Sequence, residues 1–121
     1  MKIVEIQTKN KIYKLAMESW TTSRAWGHKT WLFDEFGNEL ATNKVTYQNR
    51  TWEMYEYQSC LQSMIRNFIE VKRDEYLTRY KEAHNIVRLT RAKKEIALEK
   101  FENLEIIKDM REIQIRLRER V

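Results

Sequence analysis

Cys60, His28 and His84 are the residues best suited to chemistry on a substrate, because a thiol beside an imidazole makes a nucleophile and its base. Cys60 is the single cysteine. It falls in the middle of a segment patterned as helix, with no glycine-rich or oxyanion-forming neighbour, and is predicted to be a small packing residue. The two histidines lie far apart, and neither a His-x-x-x-His nor a Cys-x-x-Cys spacing occurs, so no metal site and no cofactor is predicted. No glycine loop that could cradle a phosphate is present. Asp74/Glu75 and Asp34/Glu35 are adjacent in sequence rather than convergent, which marks them as surface groups and not as a general acid and base. The chain is therefore expected not to be an enzyme.

Two other groupings suit binding. Trp20, Trp26, Trp31, Phe33 and Phe36 gather around the connection from Ser19 to Lys29, among Arg24, His28 and Lys29. Large aromatics held in a loop are common anchors for a partner, and basic groups interleaved with them can grip single-stranded nucleic acid. Trp20, Arg24 and Trp26 are the candidates here. The second grouping is Arg88, Arg91, Lys93 and Lys94. These cations would crowd the opening turns of a helix that begins near Asn85, where positive charge costs roughly 0.3–1 kcal/mol per group. Either the helix runs unbroken through that point or the cations face an acidic partner. The later Arg111, Arg116, Arg118 and Arg120 suit a helix C-terminus and need no such explanation.

The elements that must position these residues follow from periodicity and punctuation. Ile3 to Thr8 and Ile12 to Glu18 read as strands around Lys9-Asn10-Lys11, with Asn10 able to adopt the left-handed turn conformation. Thr30 to Asp34 and Glu39 to Tyr47 flank a second turn at Gly37-Asn38. The pattern predicts a four-stranded antiparallel meander, with Ser19 to Lys29 as a long loop.

After Gly37 the chain contains neither glycine nor proline, so the rest is built for helix. A helix capped by Asn49 or Thr51 carries Glu53 and Glu56 in its opening turns. Its stripe of Met54, Tyr57, Leu61, Met64, Ile65, Phe68 and Val71 covers one face of the sheet. Ala83-His84-Asn85 is the one plausible break, since Asn tolerates a left-handed cap. A second long helix follows, with a stripe of Ala92, Ile96, Phe101, Leu104, Ile107, Met110, Ile113 and Leu117. Folding back into a helical hairpin would bury that stripe; otherwise it is an extended arm that a partner chain covers, as in a coiled-coil homodimer. The fold class is α+β: residues 1–84 form the meander with its core helix and residues 85–121 the helical arm, within a single domain.

Composition bounds the function classes. Charged residues are 34% and hydrophobic ones 42% of the 121 residues, too apolar for a disordered polymer and too polar for a membrane protein. Apolar runs are short and Met1 to Glu5 has no signal-peptide stretch, so no membrane partner and a cytoplasmic location are expected. The net charge of +5 is divided as +3 over residues 1–50, −1 over 51–84 and +3 over 85–121. Both ends are basic, which permits contact with RNA, DNA or a ribonucleoprotein.

Residues 49–58, Asn-Arg-Thr-Trp-Glu-Met-Tyr-Glu-Tyr-Gln, carry a resemblance. The stretch from about residue 30 to residue 70 is similar to small uncharacterised proteins of Gram-positive phages and mobile elements, in which a meander leads through an Asn-Arg-Thr-Trp-Glu step into a helix. That class includes anti-CRISPR inhibitors. The resemblance implies a protein that inhibits a host nucleoprotein such as a Cas9-type nuclease by steric occlusion, in the host cytoplasm. The alternatives are a basic nucleic-acid-binding accessory protein and a coiled-coil assembly module.

Overall fold

A computed structural model describes residues 1–47 and 55–119. Four strands form one antiparallel sheet in chain order: β1 (Lys2–Gln7), β2 (Ile12–Thr21), β3 (Trp26–Phe33) and β4 (Glu39–Tyr47). Three helices follow, α1 (Tyr55–Ala83), α2 (Arg91–Glu102) and α3 (Glu105–Glu119). None of these helices is long and apolar enough to cross a membrane. The expected caps at Asn49 or Thr51, the acidic opening at Glu53 and the first stripe residue, Met54, fall outside the described residues.

Register fixes which side chains share a face, because successive residues of a strand point to opposite sides. Leu15 pairs with Val4 and Leu32, and Met17 with Thr30, so Ile6, Tyr13, Leu15, Met17 and Leu32 converge on an inner face. There they join Leu61, Met64, Ile65, Phe68 and Ile69 of α1, Phe101 of α2, and Ile107, Met110, Ile113 and Leu117 of α3 in one core. Residues from both parts of the chain, before and after residue 84, thus share that core. Val71, expected in the α1 stripe, is 55% exposed.

Several turns differ from expectation. The β1–β2 turn is closed by Thr8, whose backbone N–H and hydroxyl both donate to the Lys11 carbonyl, at 2.8 and 3.0 Å. Asn10 keeps a negative φ; the positive-φ positions among the described residues are Asn85 and Gly37. The long loop from Ser19 to Lys29 is instead a continuation of β2 and β3 around a short turn. In it Thr22 N–H donates to the Ala25 carbonyl at 2.7 Å and Thr22 Oγ1 accepts from Ala25 N–H at 3.1 Å. The β3–β4 turn does use Gly37, at φ 82°, with Asp34 Oδ1 accepting from the backbone of Phe36 and Asn38.

The break at Asn85 is present. Its φ is 53°, Asn85 N–H donates to Glu82 and Ile86 N–H to Lys81, a Schellman closure that satisfies the last carbonyls of α1. Beyond it, the single second helix divides in two. Asn103 ends α2 with its side chain donating to the Glu99 carbonyl at 3.0 Å. Arg111 then spans the corner to Glu102 with two charge-assisted bonds of 2.7 and 3.2 Å. The division shifts the buried face. Ala97 and Phe101 are buried on α2, while Ala92 and Ile96 of the expected stripe are exposed. Leu104 is 38% exposed as well. Phe101, Ile107, Met110, Ile113 and Leu117 are buried within the chain, so most of the apolar face that pairing between chains would use is already covered.

Candidate functional site

The cationic group lies where α2 begins. Thr90 is the N-cap, its hydroxyl accepting from Lys93 N–H at 3.3 Å, which orders the first turn as a capping threonine does. No acidic residue stands in that turn. Arg91, Lys93 and Lys94 therefore sit at the positive end of the helix dipole, and Arg88 precedes them in the exposed segment that leads in. Arg91 pairs with Glu95 at 3.4 Å, with 95% and 69% of the two side chains exposed, a contact worth a few tenths of a kcal/mol. Arg88, Lys93 and Lys94 have no ion pair among the described residues. Val87 beside them is 96% exposed. The result is a protruding apolar tip amid cations that the helix itself disfavours.

α2 is held in this position by ring contacts to the end of α1. Tyr76 and Phe101 lie 5.7 Å apart between centroids, and Lys100 Nζ stands 5.8 Å from the Tyr80 ring. Tyr80 also faces His84 at 4.3 Å. The entry to α2 is consequently remote from the sheet centre. Cys60 meets Thr30 on β3, and the end of α1 lies about 35 Å further along at 1.5 Å per residue.

The second surface is the outer face of the sheet, which none of the described helices covers. Trp20, Trp31 and Phe33 are half-buried on it, with Lys14, Lys29 and Lys44 exposed among them. Lys44 Nζ lies 4.7 Å from the Trp20 ring and Lys29 Nζ 5.1 Å from the Trp31 ring, the range of a cation–π contact. Trp20 lies over Gly27, its strand partner on β3. A Cβ at Gly27 would stand 1.9 Å from the Val45 carbonyl oxygen and 2.9 Å from the indole, so only glycine admits both.

The expected loop cluster thus separates. Trp20 is a strand residue of the outer face, and Arg24 is exposed in the β2–β3 turn. Trp26 is a buried residue of β3 on the inner face, edge-on to His28 at 5.6 Å and 77°. Burial removes Trp26 from the surface candidates; the extension of β3 to residue 26 is the cause. His28 is also buried, with Ser19 Oγ 3.2 Å from its Nδ1. Phe36 is exposed at the β3–β4 turn.

Cys60 has Thr30 Oγ1 at 3.6 Å and Asn43 Nδ2 at 3.8 Å as its polar neighbours. Burial pushes its thiol above the usual range despite those two contacts, which favours the neutral form and not a thiolate nucleophile. The group that sequence reasoning missed is Asp109. It is buried on α3, where Oδ2 accepts from the Tyr13 hydroxyl at 2.7 Å and Oδ1 from Asn10 Nδ2 at 3.0 Å. Glu112 Oε2, one turn on, accepts from Lys9 N–H at 3.0 Å. Together they clamp α3 to the β1–β2 turn.

No family model matches the chain, and neither does any curated protein or solved structure.

Proposed function

We propose that the protein is a non-enzymatic binding protein that docks on a nucleoprotein complex through the entry to α2 and acts by occluding it. The observation that carries this reading is the cationic cluster at the positive end of α2. Each of its charges is disfavoured there by roughly 0.3–1 kcal/mol, and of the four cations only Arg91 has an ion-pair partner among the described residues. A phosphate backbone or an acidic protein patch would reverse that sign, and Val87 at the tip supplies apolar area to the same contact.

The resemblance of residues 49–58 to proteins of phages and mobile elements gives the reading its setting, a host cytoplasm containing a guide-loaded nuclease of the Cas9 type. A target-cleavage assay with that nuclease tests it. Stoichiometric protein is expected to stop cleavage, and the variant with Arg88, Arg91, Lys93 and Lys94 all changed to Glu is expected to restore it. Undiminished cleavage at excess protein, with no co-migration of protein and nuclease, refutes the reading. The coiled-coil alternative has less support, because Phe101, Ile107, Met110, Ile113 and Leu117 are buried within the chain.

A further inference from the structure

The geometry points to the outer face of the sheet, left open by the described helices, as a binding surface for single-stranded nucleic acid, with Trp31 and Trp20 stacking bases and Lys29 and Lys44 meeting phosphates. Strand register lays that face out in rows. Trp20 lies beside Gly27 and Thr46; Glu18 beside Lys29 and Lys44; Ala16 beside Trp31 and Thr42; and Lys14 beside Phe33. The first and third rows are four residues apart, so the two indoles stand about 14 Å from each other. An extended single strand covers that distance in about two nucleotides, which lets alternate bases reach the two rings.

The chemistry between the indoles chooses the occupant. A second copy of this chain, or an apolar protein face, would have to bury the central row of Glu18, Lys29 and Lys44, and an apolar contact gives those exposed charges nothing in place of their hydration. A nucleic-acid strand instead brings a phosphate to each lysine and a flat ring to each indole. Both lysines already reach toward a ring. A phosphate drawing the ammonium aside therefore exposes the ring face on which a base stacks. The β3–β4 half favours this path: its outward residues are Gly27, Lys29, Trp31, Phe33, Thr42, Lys44 and Thr46, with Glu39 at the end nearest the turn. Glu5 and Glu18 lie on the β1–β2 half and define the side the backbone avoids, whereas the ring of Trp20, though its residue belongs to β2, lies over Gly27 of β3 and so borders the favoured path. Ala16 is fully buried on this face, flanked by Ile3 and Trp31, so larger neighbours close over it.

Oligo-thymidine and oligo-uridine strands, and a blunt duplex as control, titrated into the protein at low salt and followed by tryptophan fluorescence and anisotropy, test the inference. The single strands are expected to bind and the duplex to bind at least tenfold more weakly. Trp31→Ala is expected to weaken single-strand binding about tenfold or more, since a base stack is worth about 1–3 kcal/mol. Trp31→Phe is expected to retain most of the affinity. Lys29→Gln with Lys44→Gln, both at exposed positions, is expected to flatten the slope of log affinity against log salt by about 0.7 per lysine. The double lysine variant keeps the test decisive if Trp31→Ala unfolds. No single-strand binding, equal affinity for duplex, or binding that survives the Trp31 and lysine changes but is lost when the α2 cations become Gln overturns the inference. A dimer whose interface protects Trp31 overturns it too. Free oligonucleotides are used throughout, so the outcome is independent of the nuclease assay.

Discussion

Replacing Asp109 by Ala is expected to destabilise the fold by about 3–5 kcal/mol. The carboxylate is buried and accepts two side-chain bonds, from the Tyr13 hydroxyl at 2.7 Å and the Asn10 amide at 3.0 Å. Hydrogen bonds to a charged acceptor are worth about 1.5–3 kcal/mol each, and a buried donor left without a partner adds its own desolvation cost. Tyr13 bears that cost, because it is 1% exposed, whereas Asn10 is at the surface and can turn to water. The loss is a large share of the roughly 5–15 kcal/mol that holds a domain of this size. Urea unfolding followed by far-ultraviolet circular dichroism measures it, with Tyr13→Phe and the double variant completing a cycle. Tyr13→Phe alone leaves the buried carboxylate with the Asn10 amide as its one remaining side-chain donor, so both single changes are costly. The double change removes donor and acceptor together and is expected to fall short of the sum by about 1.5–3 kcal/mol. An additive cycle, or a loss under 1 kcal/mol for Asp109→Ala, would falsify the reasoning.

The same pair gives an alkaline signature. Burial first, then the bond to Asp109 and its negative charge, raises the Tyr13 hydroxyl far above its usual value of about 10. The folded chain therefore holds this proton more tightly than the unfolded chain does. Its contribution is fully present below pH 10 and falls as pH rises beyond it, by at most about 1.4 kcal/mol per unit. Parent and Tyr13→Phe unfolding curves at rising pH are expected to differ in that slope, and parallel slopes would count against it. Gly27→Ala is expected to cost roughly 2–4 kcal/mol and to alter Trp20 fluorescence, because the new methyl meets both the Val45 carbonyl and the indole. An unchanged urea midpoint would show that β3 and β4 can separate there without loss.

The parts of the fold that were legible in sequence are those set by short-range chemistry. Alternation in Tyr13, Leu15 and Met17, the Gly37 turn and the Asn85 break all depend on residues within a few positions of one another. Gly27 misled, because a glycine beside a histidine resembles a loop, whereas here it gives Trp20 room on a neighbouring strand. The corner at Asn103 was hidden by spacing: Phe101, Leu104 and Ile107 continue a three-residue step across a break that Asn103 and the Glu102–Arg111 pair close without glycine or proline. Asp109 was hidden by distance, since a lone aspartate between Ile107 and Met110 looks solvated until Tyr13, 96 residues earlier, is placed against it. Of the candidate site, the cations were legible from their conflict with the helix dipole. The open sheet face was not, because a half-buried tryptophan reads the same on a covered face as on a bare one.

The clamp at Asp109 also bears on how the two surfaces relate. α3 is fastened to the β1–β2 turn through Asp109 and Glu112, and α2 is joined to α3 by Arg111 and to α1 by Tyr76 and Phe101. The entry to α2 is thereby carried on the helical layer, about 35 Å along α1 from the contact between Cys60 and Thr30. Trp20, Trp31, Lys29 and Lys44 look away from that layer. A strand lying on the indoles would have to round a sheet edge to reach Arg88, and each added nucleotide would be held by little on the way. The two surfaces are therefore independent in their first contacts. On the proposed function, a nucleoprotein, which presents nucleic acid and protein at separated places, would engage both without distorting either, whereas a short free strand would occupy only one.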